Sequence, residues 1–384
     1  MRKLLKVLPV LAVLTIFTCL LTACAGNRIT VGEIPPPPTR PTPPPVAQPP
    51  TGQSATGAAG GTVAGAGTTT GPTPVTPAEV HVLSFPHITN TTHPRGLAIE
   101  SIAELAAERS GGRLEINVFP DSQLGNDTQV LAQLMQGNIG ITSSLNTILT
   151  STVPELALFD MPYLFFTMEQ AFAALNGSLG DFLTDIMAEH GLINFGYFTS
   201  GFKHFTNNVR PIHYVTDLAG VQMRVSQSQF LISQFLAINA GAASIPFADL
   251  YSALGIGLVD GQENPLATIV SARFYEVQDY ITISNHGFTV YPIFMHESVY
   301  NSLPEDLRVL IRQIIAEVMP IQWALIEESV GEQLQFLYTT DVNINYMSGA
   351  AMQGFRAATQ VVYDEFAQMP RGAELLSIAS RYVN

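Results

Sequence analysis

Cysteine is almost absent from this chain of 384 residues, because its two cysteines, Cys19 and Cys24, both lie near the N-terminus. The rest of the chain therefore offers no thiol for a disulfide framework, a thiolate metal cage or a cysteine nucleophile. A body without thiols is compatible with a location outside the cytoplasm, where exposed thiols would be oxidised.

Basic residues are also scarce. The 17 lysines and arginines are outnumbered by 31 acidic residues, which gives a formal net charge of −14. Binding to nucleic acid, or broad adhesion to anionic lipid, requires clustered lysine and arginine. The composition therefore argues against both kinds of partner. Hydrophobic residues make up 47% of the chain, which is ample for the core of one large or two medium domains.

Familiar enzyme motifs are missing as well. The sequence contains no Gly-x-Ser-x-Gly nucleophile elbow, no phosphate-binding P-loop and no dinucleotide-binding glycine pattern. It shows no internal repeat of solenoid length and, beyond its N-terminus, no further apolar run that suits a membrane span. We therefore expect neither an enzyme nor a channel, and the sequence predicts no cofactor.

The N-terminus has the features of an export signal. Residues 1–24 begin with basic side chains, continue through an apolar run at 8–21 and end in small residues. The run is shorter than the ~20 apolar residues of a comfortable membrane span. Its end, Leu21-Thr22-Ala23-Cys24, resembles the bacterial lipobox, which implies that Cys24 is lipidated and becomes the first mature residue. The alternative is an uncleaved anchor helix, and both interpretations place the body outside the cytoplasmic membrane.

Residues 25–78 have the composition of a tether. The part at 35–50 is rich in proline, which predicts a semi-rigid extended spacer, and the part at 51–71 is rich in glycine, alanine and threonine, which predicts a flexible one. Such a segment cannot bury enough apolar surface to offset its ordering entropy, so we expect it to be disordered. A proline-rich docking ligand is the alternative.

From residue 79 to residue 384 the pattern becomes that of an α/β domain. Alternating apolar residues predict strands at 80–85, 114–118, 139–142, 193–199 and 221–225. Helical spacing and capping residues predict helices that begin at Pro94, at Asn126 or Asp127, and at 230 and 250. Strand–helix repetition predicts a mainly parallel sheet covered on both faces. After residue 302 the pattern predicts long amphipathic helices.

Several motifs of the body occur in an order that resembles one known family. They lie at 85–87, 92–96 (THPRG), 112–116, 119–125, 159–162, 206–208, 217–220, 223–225 (MRV), 259–265 (VDGQENP), 275–278, 285–286 and 303–307. Together they resemble the solute receptor of TRAP transporters, the DctP family, over roughly 80–335. Single pieces such as QLG have little specificity, whereas the ordered set is specific.

The resemblance implies a fold and a partner. It implies a type II periplasmic-binding-protein-like fold, in which two α/β lobes are joined by crossing strands and a long helix and enclose the ligand between them. It also implies delivery of the ligand to a TRAP-type membrane permease with a small and a large subunit. Transport of this kind is driven by an ion gradient.

Arg224 is the central candidate for ligand binding. It lies in a predicted strand in which Val221, Met223 and Val225 alternate with polar residues. A guanidinium offers two parallel donors that match a carboxylate, and it stays charged when enclosed. The resemblance implies that this arginine pairs with the substrate carboxylate. The alternative is an arginine in a surface or interlobe salt bridge.

Three further candidates follow from the resemblance. Lys203 lies where many relatives have a second arginine, so it implies a secondary cationic contact; the alternative is a solvated lysine. Asn264 matches a position that hydrogen-bonds substrate from the second lobe, or it stabilises the turn before Pro265. Asp127 matches a contact to polar ligand groups in some relatives, or it is a helix N-cap.

The last three candidates lie near predicted strand ends or pocket walls. His87 follows the first strand, where relatives contribute first-lobe contacts. Asn146 follows a short strand whose loop should face the cleft. Phe247 either walls the pocket or packs in the core. His87 and His93 lack a defined third ligand for a metal, so no metal site is predicted.

The expected ligand is a small organic acid, either a C4-dicarboxylate or a sugar acid such as a uronate. Relatives that bind sialic acid carry an acidic residue where this chain has Leu145, which disfavours that ligand. Two alternatives remain open, namely a sensory protein that presents its ligand to a receptor kinase and an extracellular enzyme acting on a carboxylic acid. Neighbouring genes for a small and a large membrane protein would favour transport.

Overall fold

The structure is a computed structural model that describes residues 79–383. The predicted signal peptide at 1–24, the lipidation of Cys24 and the tether at 25–78 lie outside the described residues, and they stay predictions.

Strands and helices alternate along the first two thirds of the described chain. The strands are β1 His81–Pro86, β2 Leu114–Phe119, β3 Thr142–Ser143, β4 Leu192–Asn207, β5 Gln222–Val225, β6 Gly241–Ser244, β7 Gly261–Pro265, β8 Tyr280–His296 and β9 Asn343–Tyr346. The α-helices are α1 Pro94–Ser110, α2 Asp127–Met135, α3 Asn146–Leu149, α4 Met168–Leu175, α5 Ser178–Glu189, α6 Gln229–Ala237, α7 Phe247–Gly255, α8 Leu266–Ser271, α9 Glu297–Ser302, α10 Glu305–Leu337, α11 Gly349–Ala358, α12 Gln360–Ala367 and α13 Gly372–Ser380. Short 3₁₀ helices lie at Pro154–Asp160, Val215–Leu218 and Phe274–Glu276.

The sheets are mixed in direction. Strands β1 and β2 pair in parallel, and the other strands form one sheet in the order β3-β8-β4-β7-β5-β6, with β9 beside β8. At the centre of this sheet β4 runs antiparallel to both β7 and β8, whereas β5 is parallel to β6 and β7. The prediction of a mainly parallel sheet is therefore wrong for the centre. Apolar alternation within a strand does not record the direction of its neighbours, so the sequence pattern could not reveal the reversal.

The long strands β4 and β8 connect two lobes. In the first lobe, Ile99 of α1 and Phe198 of β4 lie in one core together with β1 and β2. In the second lobe, Met223 of β5 packs with Phe235 and with Phe205, which lies further along the same strand β4. One strand therefore contributes to both cores, and the predicted crossing strands between two lobes are present.

The C-terminal region contains one long helix rather than several. Helix α10 has 33 residues, whereas α11, α12 and α13 have 10, 8 and 9. By length and composition alone α10 would also suit a membrane span. Its residues Leu307, Ile311 and Trp323 are buried in the hydrophobic cores, so α10 packs as the core helix of a folded domain.

Local capping sets the two helix starts that matter for the site. Helix α1 begins with Pro94, and His93 accepts a hydrogen bond from the backbone amide of Arg95, which places that arginine in the first turn. Helix α2 is capped by Asn126, whose side chain and that of Gln129 form a reciprocal capping box. Since Asn126 performs the capping, Asp127 is the first helical residue.

Candidate ligand-binding site

A cavity lies between the first turns of α1 and α2 on one side and β5, β7 and the start of α7 on the other. Its volume is about 40 Å³, several times the roughly 10–15 Å³ that one water needs. Apolar side chains, including Leu145, Ile148, Ile245 and Phe247, form part of its wall. Its principal polar side chains are those of Thr89, Arg95, Asp127, Arg224, Asn264 and Tyr291. We refer to this space as the cavity.

Arg224 projects into the cavity from the parallel part of the sheet. Its side chain is held by one hydrogen bond, in which Nε donates to the carbonyl oxygen of Ile245 at 2.8 Å. Among residues 79–383 no hydrogen bond is made by its two terminal nitrogens. Burial lowers its pKa to about 10, while Glu263 and Asp127 act in the opposite direction. The guanidinium therefore stays charged at neutral pH and presents two donors.

Arg95 is a second guanidinium at the cavity, and the sequence analysis did not single it out. Arg95 is 0% exposed, and its Nε, Nη1 and Nη2 have no hydrogen-bond partner within the described part of the chain. Its guanidinium carbon lies 3.6 Å from the ring centroid of Tyr291. A signal was available, because positions 95, 99 and 102 share one face of a helix and residues 99 and 102 are isoleucines. A charged residue on the buried face marks a functional candidate.

Among the described residues that line the cavity, Asp127 is the one acidic residue. Its side chain is half-buried, and burial raises its pKa to about 6, while the nearby Arg95 and Arg224 lower it. Two guanidiniums thus face one carboxyl group. The cavity has an excess of one positive charge when Asp127 is ionised and of two when it is protonated.

Asn264 and Phe247 also line the cavity. The side-chain amide of Asn264 donates to Oε1 of Gln262, and Asn264 lines the cavity. Phe247 lies at the start of α7 and packs edge-on against Phe274, with 5.9 Å between the ring centroids. The two alternatives for Phe247, a pocket wall or core packing, therefore apply together.

Lys203 does not line the cavity. Its ammonium donates to Glu263 Oε1 at 2.7 Å, and Glu263 Oε2 accepts from His286 Nε2 at 2.7 Å. Burial opposes ionisation of Glu263, but Lys203 and His286 outweigh it and lower the pKa of this carboxyl to about 2. The ammonium is thus committed to a protein carboxylate. The alternative of a solvated lysine is also excluded, because Lys203 is 5% exposed.

His87 and Asn146 also lie outside the cavity lining. Asn146 donates to the carbonyl oxygen of Leu156 at 3.2 Å and to Asp160 Oδ1 at 2.8 Å, so its amide is used inside the protein. His87 Nδ1 lies 3.0 Å from Thr89 Oγ1, and burial together with the charge of Arg95 lowers its pKa to about 3. The structure thus brings together Arg224, Asp127, Asn264 and Phe247, but not Lys203, His87 or Asn146.

A match to a family model identifies the protein family of this chain. Residues 85–369 match the model of the DctP family, described as bacterial extracellular solute-binding protein, family 7. The chain belongs to this family. The resemblance inferred from the ordered motifs is thereby confirmed.

Relatives support the same relationship. The C4-dicarboxylate-binding protein DctB of Bacillus subtilis is 30% identical over 286 residues, which cover 74% of this chain and 82% of that protein. A TRAP periplasmic solute binding protein from Sulfurospirillum deleyianum, solved with bound succinate, has a TM-score of 0.76 at 30% identity over 80% of this chain and 100% of that chain. The sugar acid binding protein DctPAm from Advenella mimigardefordensis, solved with galactonate, has a TM-score of 0.76 at 29% identity, over 79% and 99% of the two chains. The predicted two-lobed α/β fold is confirmed by these structures.

Proposed function

We propose that this DctP-family protein is the receptor of a TRAP transporter and that it binds a small organic acid through Arg224. The observation that carries the proposal is the setting of this guanidinium: Nε donates to the carbonyl oxygen of Ile245, the residue is 5% exposed and lines the cavity, and its terminal nitrogens make no hydrogen bond among residues 79–383. A carboxylate matches the two free donors, and the low-dielectric surroundings strengthen the pair.

The chemistry of the relatives supports an acid as the ligand. The Bacillus protein is named for C4-dicarboxylates, and the Sulfurospirillum and Advenella proteins were solved with succinate and galactonate. A C4-dicarboxylate and a sugar acid are therefore the two candidate classes for this chain. The small cavity and its excess positive charge suit a compact anion.

The remaining parts of the proposal concern location and partner. We infer that residues 1–24 direct export, that Cys24 carries the lipid anchor, and that residues 25–78 tether the domain to the outer face of the cytoplasmic membrane. The loaded domain then delivers its ligand to a permease with a small and a large subunit. Labelling with a radioactive fatty acid, compared between the full chain and Cys24→Ser, tests the anchor.

The binding proposal is tested by calorimetry with a panel of organic acids. Arg224→Ala should weaken the best ligand at least tenfold, as expected for loss of a charged, enclosed hydrogen-bonded pair. Arg224→Lys should recover part of this loss, because lysine restores the positive charge but lacks the two parallel donors of a guanidinium. Arg109→Ala is the matched control, since Arg109 pairs with Glu317 on the surface. Equal affinity of Arg224→Ala and the control would remove Arg224 from the site.

Ion-driven uptake tests the transport role. Vesicles that contain the permease should accumulate the ligand when the loaded receptor and an ion gradient are both present, without ATP. Normal uptake by vesicles supplied with the Arg224→Ala receptor would contradict the proposal. Chemical conversion of the bound acid by the receptor would favour an enzyme instead.

A further inference from the structure

A chain of buried polar side chains leads from the cavity into the sheet of the second lobe. Asn264 lines the cavity, and its Nδ2 donates to Oε1 of Gln262, two residues earlier on the same face of β7. Nε2 of Gln262 donates to Oγ1 of Thr206 at 3.0 Å, and this hydroxyl donates to Oε1 of Gln278 at 2.7 Å. We refer to Gln262, Thr206 and Gln278 as the relay. All three are buried, and they lie behind the residues that line the cavity.

The backbone fixes the direction of the hydrogen bonds at the far end of the relay. Nε2 of Gln278 donates to the carbonyl oxygens of Val277 at 2.9 Å and of Asp260 at 3.4 Å. If the amide were turned over, its Oε1 would meet these oxygens, and neither side could donate. Oε1 of Gln278 therefore faces Thr206, whose hydroxyl must donate to it. The oxygen of this hydroxyl is then the acceptor for Nε2 of Gln262.

The direction of the relay sets the orientation of the Asn264 amide. Because Thr206 takes the nitrogen end of Gln262, the oxygen end of Gln262 meets Asn264 and accepts from its Nδ2. Oδ1 of Asn264 accepts no hydrogen bond among residues 79–383. Unlike the side-chain nitrogens of Arg95, Oδ1 is not one of the enclosed atoms that lack a partner. Asn264 thus offers a ligand an accessible acceptor in a fixed orientation.

We propose that the relay positions Asn264 so that its Oδ1 accepts a hydrogen bond from a hydroxyl group of the ligand, which makes the ligand a hydroxy acid. This inference rests on the proposed function, because it assumes that the ligand's carboxylate binds Arg224. Arg224 lies opposite Gln262 where β5 pairs with β7, and Asn264 follows two residues along β7. A carboxylate and a nearby hydroxyl on one ligand can therefore satisfy both side chains. A carboxylate or methylene group beside Oδ1 would leave this oxygen without a donor.

The first test compares acids that differ in their hydroxyl groups. Both enantiomers of malate are compared with succinate, and erythronate is compared with butyrate, by calorimetric titration into the wild type. In at least one pair the hydroxy acid should bind at least about tenfold more tightly than the acid without hydroxyl groups, as expected when an enclosed acceptor gains its donor. Absence of this preference in both pairs would overturn the inference.

Two substitutions interrupt the relay behind the cavity wall. Thr206→Val removes the hydroxyl group, and Gln278→Leu removes the amide that fixes its direction. In each variant the amide of Gln262 can turn over, so Asn264 is no longer held in one orientation. The preference for the hydroxy acid should fall at least about threefold, while the affinity for the acid without hydroxyl groups should change less than about twofold. Thr206→Ser retains a hydroxyl group and should retain the preference of the wild type.

The ratio of the two affinities within one variant distinguishes positioning from folding, because a loss of folded protein lowers the apparent binding of both acids alike. An unchanged ratio in Thr206→Val or Gln278→Leu, or an equal loss for both acids, would overturn the inference and leave the proposed function intact. Loss of the preference in Thr206→Ser would show that packing rather than the hydroxyl group matters, and it would also refute the inference. Unchanged affinity for every acid in Arg224→Ala would instead overturn the proposed function.

Discussion

Two buried groups of charged residues differ in whether the charges have partners inside the protein. In the interior, Glu263 accepts hydrogen bonds from both Lys203 and His286, and all three are nearly inaccessible. At the cavity, Arg95 has no hydrogen-bond partner in the described chain and Arg224 uses one of its nitrogens. Both groups pay the desolvation cost of burial, but only the interior group is neutralised by protein groups.

Whether a buried charge has a partner inside the protein distinguishes charges with a structural role from charges that are candidates for ligand binding. The buried group of Lys203, Glu263 and His286 connects three neighbouring strands, because Lys203 lies in β4, Glu263 in β7 and His286 in β8. Burial lowers the pKa of His286, so a neutral ring donates from Nε2 to the carboxylate and accepts at Nδ1 from Ser284. Buried charges without such partners indicate where a charged ligand completes the structure.

The largest loss of stability is expected from disrupting the buried group of Lys203, Glu263 and His286. Glu263→Ala leaves Lys203 buried without its carboxylate and should lower the free energy of unfolding by about 3–5 kcal/mol. Urea denaturation measures this loss. Glu276→Ala is the control, since its pair with Arg273 is exposed and should contribute less than about 1 kcal/mol. Similar losses in both variants would show that burial does not set the strength of these pairs.

A smaller effect is expected from the one carboxyl group of the cavity. Burial raises the pKa of Asp127 to about 6, and a bound anion should raise it further, so binding above this pKa takes up a proton. The affinity for a diacid should therefore increase about threefold to tenfold as the pH falls from about 8 to about 6. Titrations of wild type and Asp127→Asn at both pH values measure this, because the ligand's own titration cancels between them. An identical pH dependence in the two proteins would exclude Asp127 as the titrating group.

The carboxyl group of Asp127 should also make the stability of the ligand-free protein depend on pH. Its pKa in the folded protein lies above the usual unfolded value of about 3.9, so its contribution is most favourable below pH ~4 and is lost as the pH rises through about 6. Asp127→Asn should therefore raise the free energy of unfolding at pH 7 but not at pH 4. A loss of stability at pH 7 would contradict this sign. Asp160, whose pKa burial also raises to about 6, remains in both proteins and does not affect the difference.

The smallest change in the free energy of unfolding is expected from disrupting an exposed ion pair on the surface. Arg109 makes two hydrogen bonds to Glu317, at 2.7 and 3.0 Å, but both side chains are exposed. Arg109→Ala should lower the free energy of unfolding by less than about 1 kcal/mol, and the difference should shrink in high salt. A loss comparable to that of Glu263→Ala would remove burial as the distinction between these charge pairs.

Much of the fold was predictable because local signals agreed with it. Pro94 begins α1 as expected, and the strand predicted at 221–225 is present as β5. The direction of β4 and β8 was not predictable, because strand pairing joins residues that are distant in sequence. The length of the helices after residue 302 was also overestimated, because only α10 is long, whereas α11, α12 and α13 have 10, 8 and 9 residues.

The candidate site was predictable only in part. Arg224, Asp127 and Asn264 line the cavity, which agrees with their proposed roles, although ligand contact itself stays a prediction. Lys203 could not be distinguished by sequence, since its partner Glu263 is reached through the pairing of β4 with β7. Arg95 was recognisable by helical periodicity but required the structure to show that it has no partner.

The most direct measurement compares Arg224→Met with Lys203→Met in both unfolding and binding. Arg224→Met should change the free energy of unfolding by about 1 kcal/mol or less, because it removes one hydrogen bond, yet weaken acid binding at least tenfold. Lys203→Met should lower the free energy of unfolding by about 3–5 kcal/mol, while its folded fraction keeps acid affinity within about threefold. Loss of affinity in Lys203→Met with normal affinity in Arg224→Met would contradict the division between structural and ligand-binding charge.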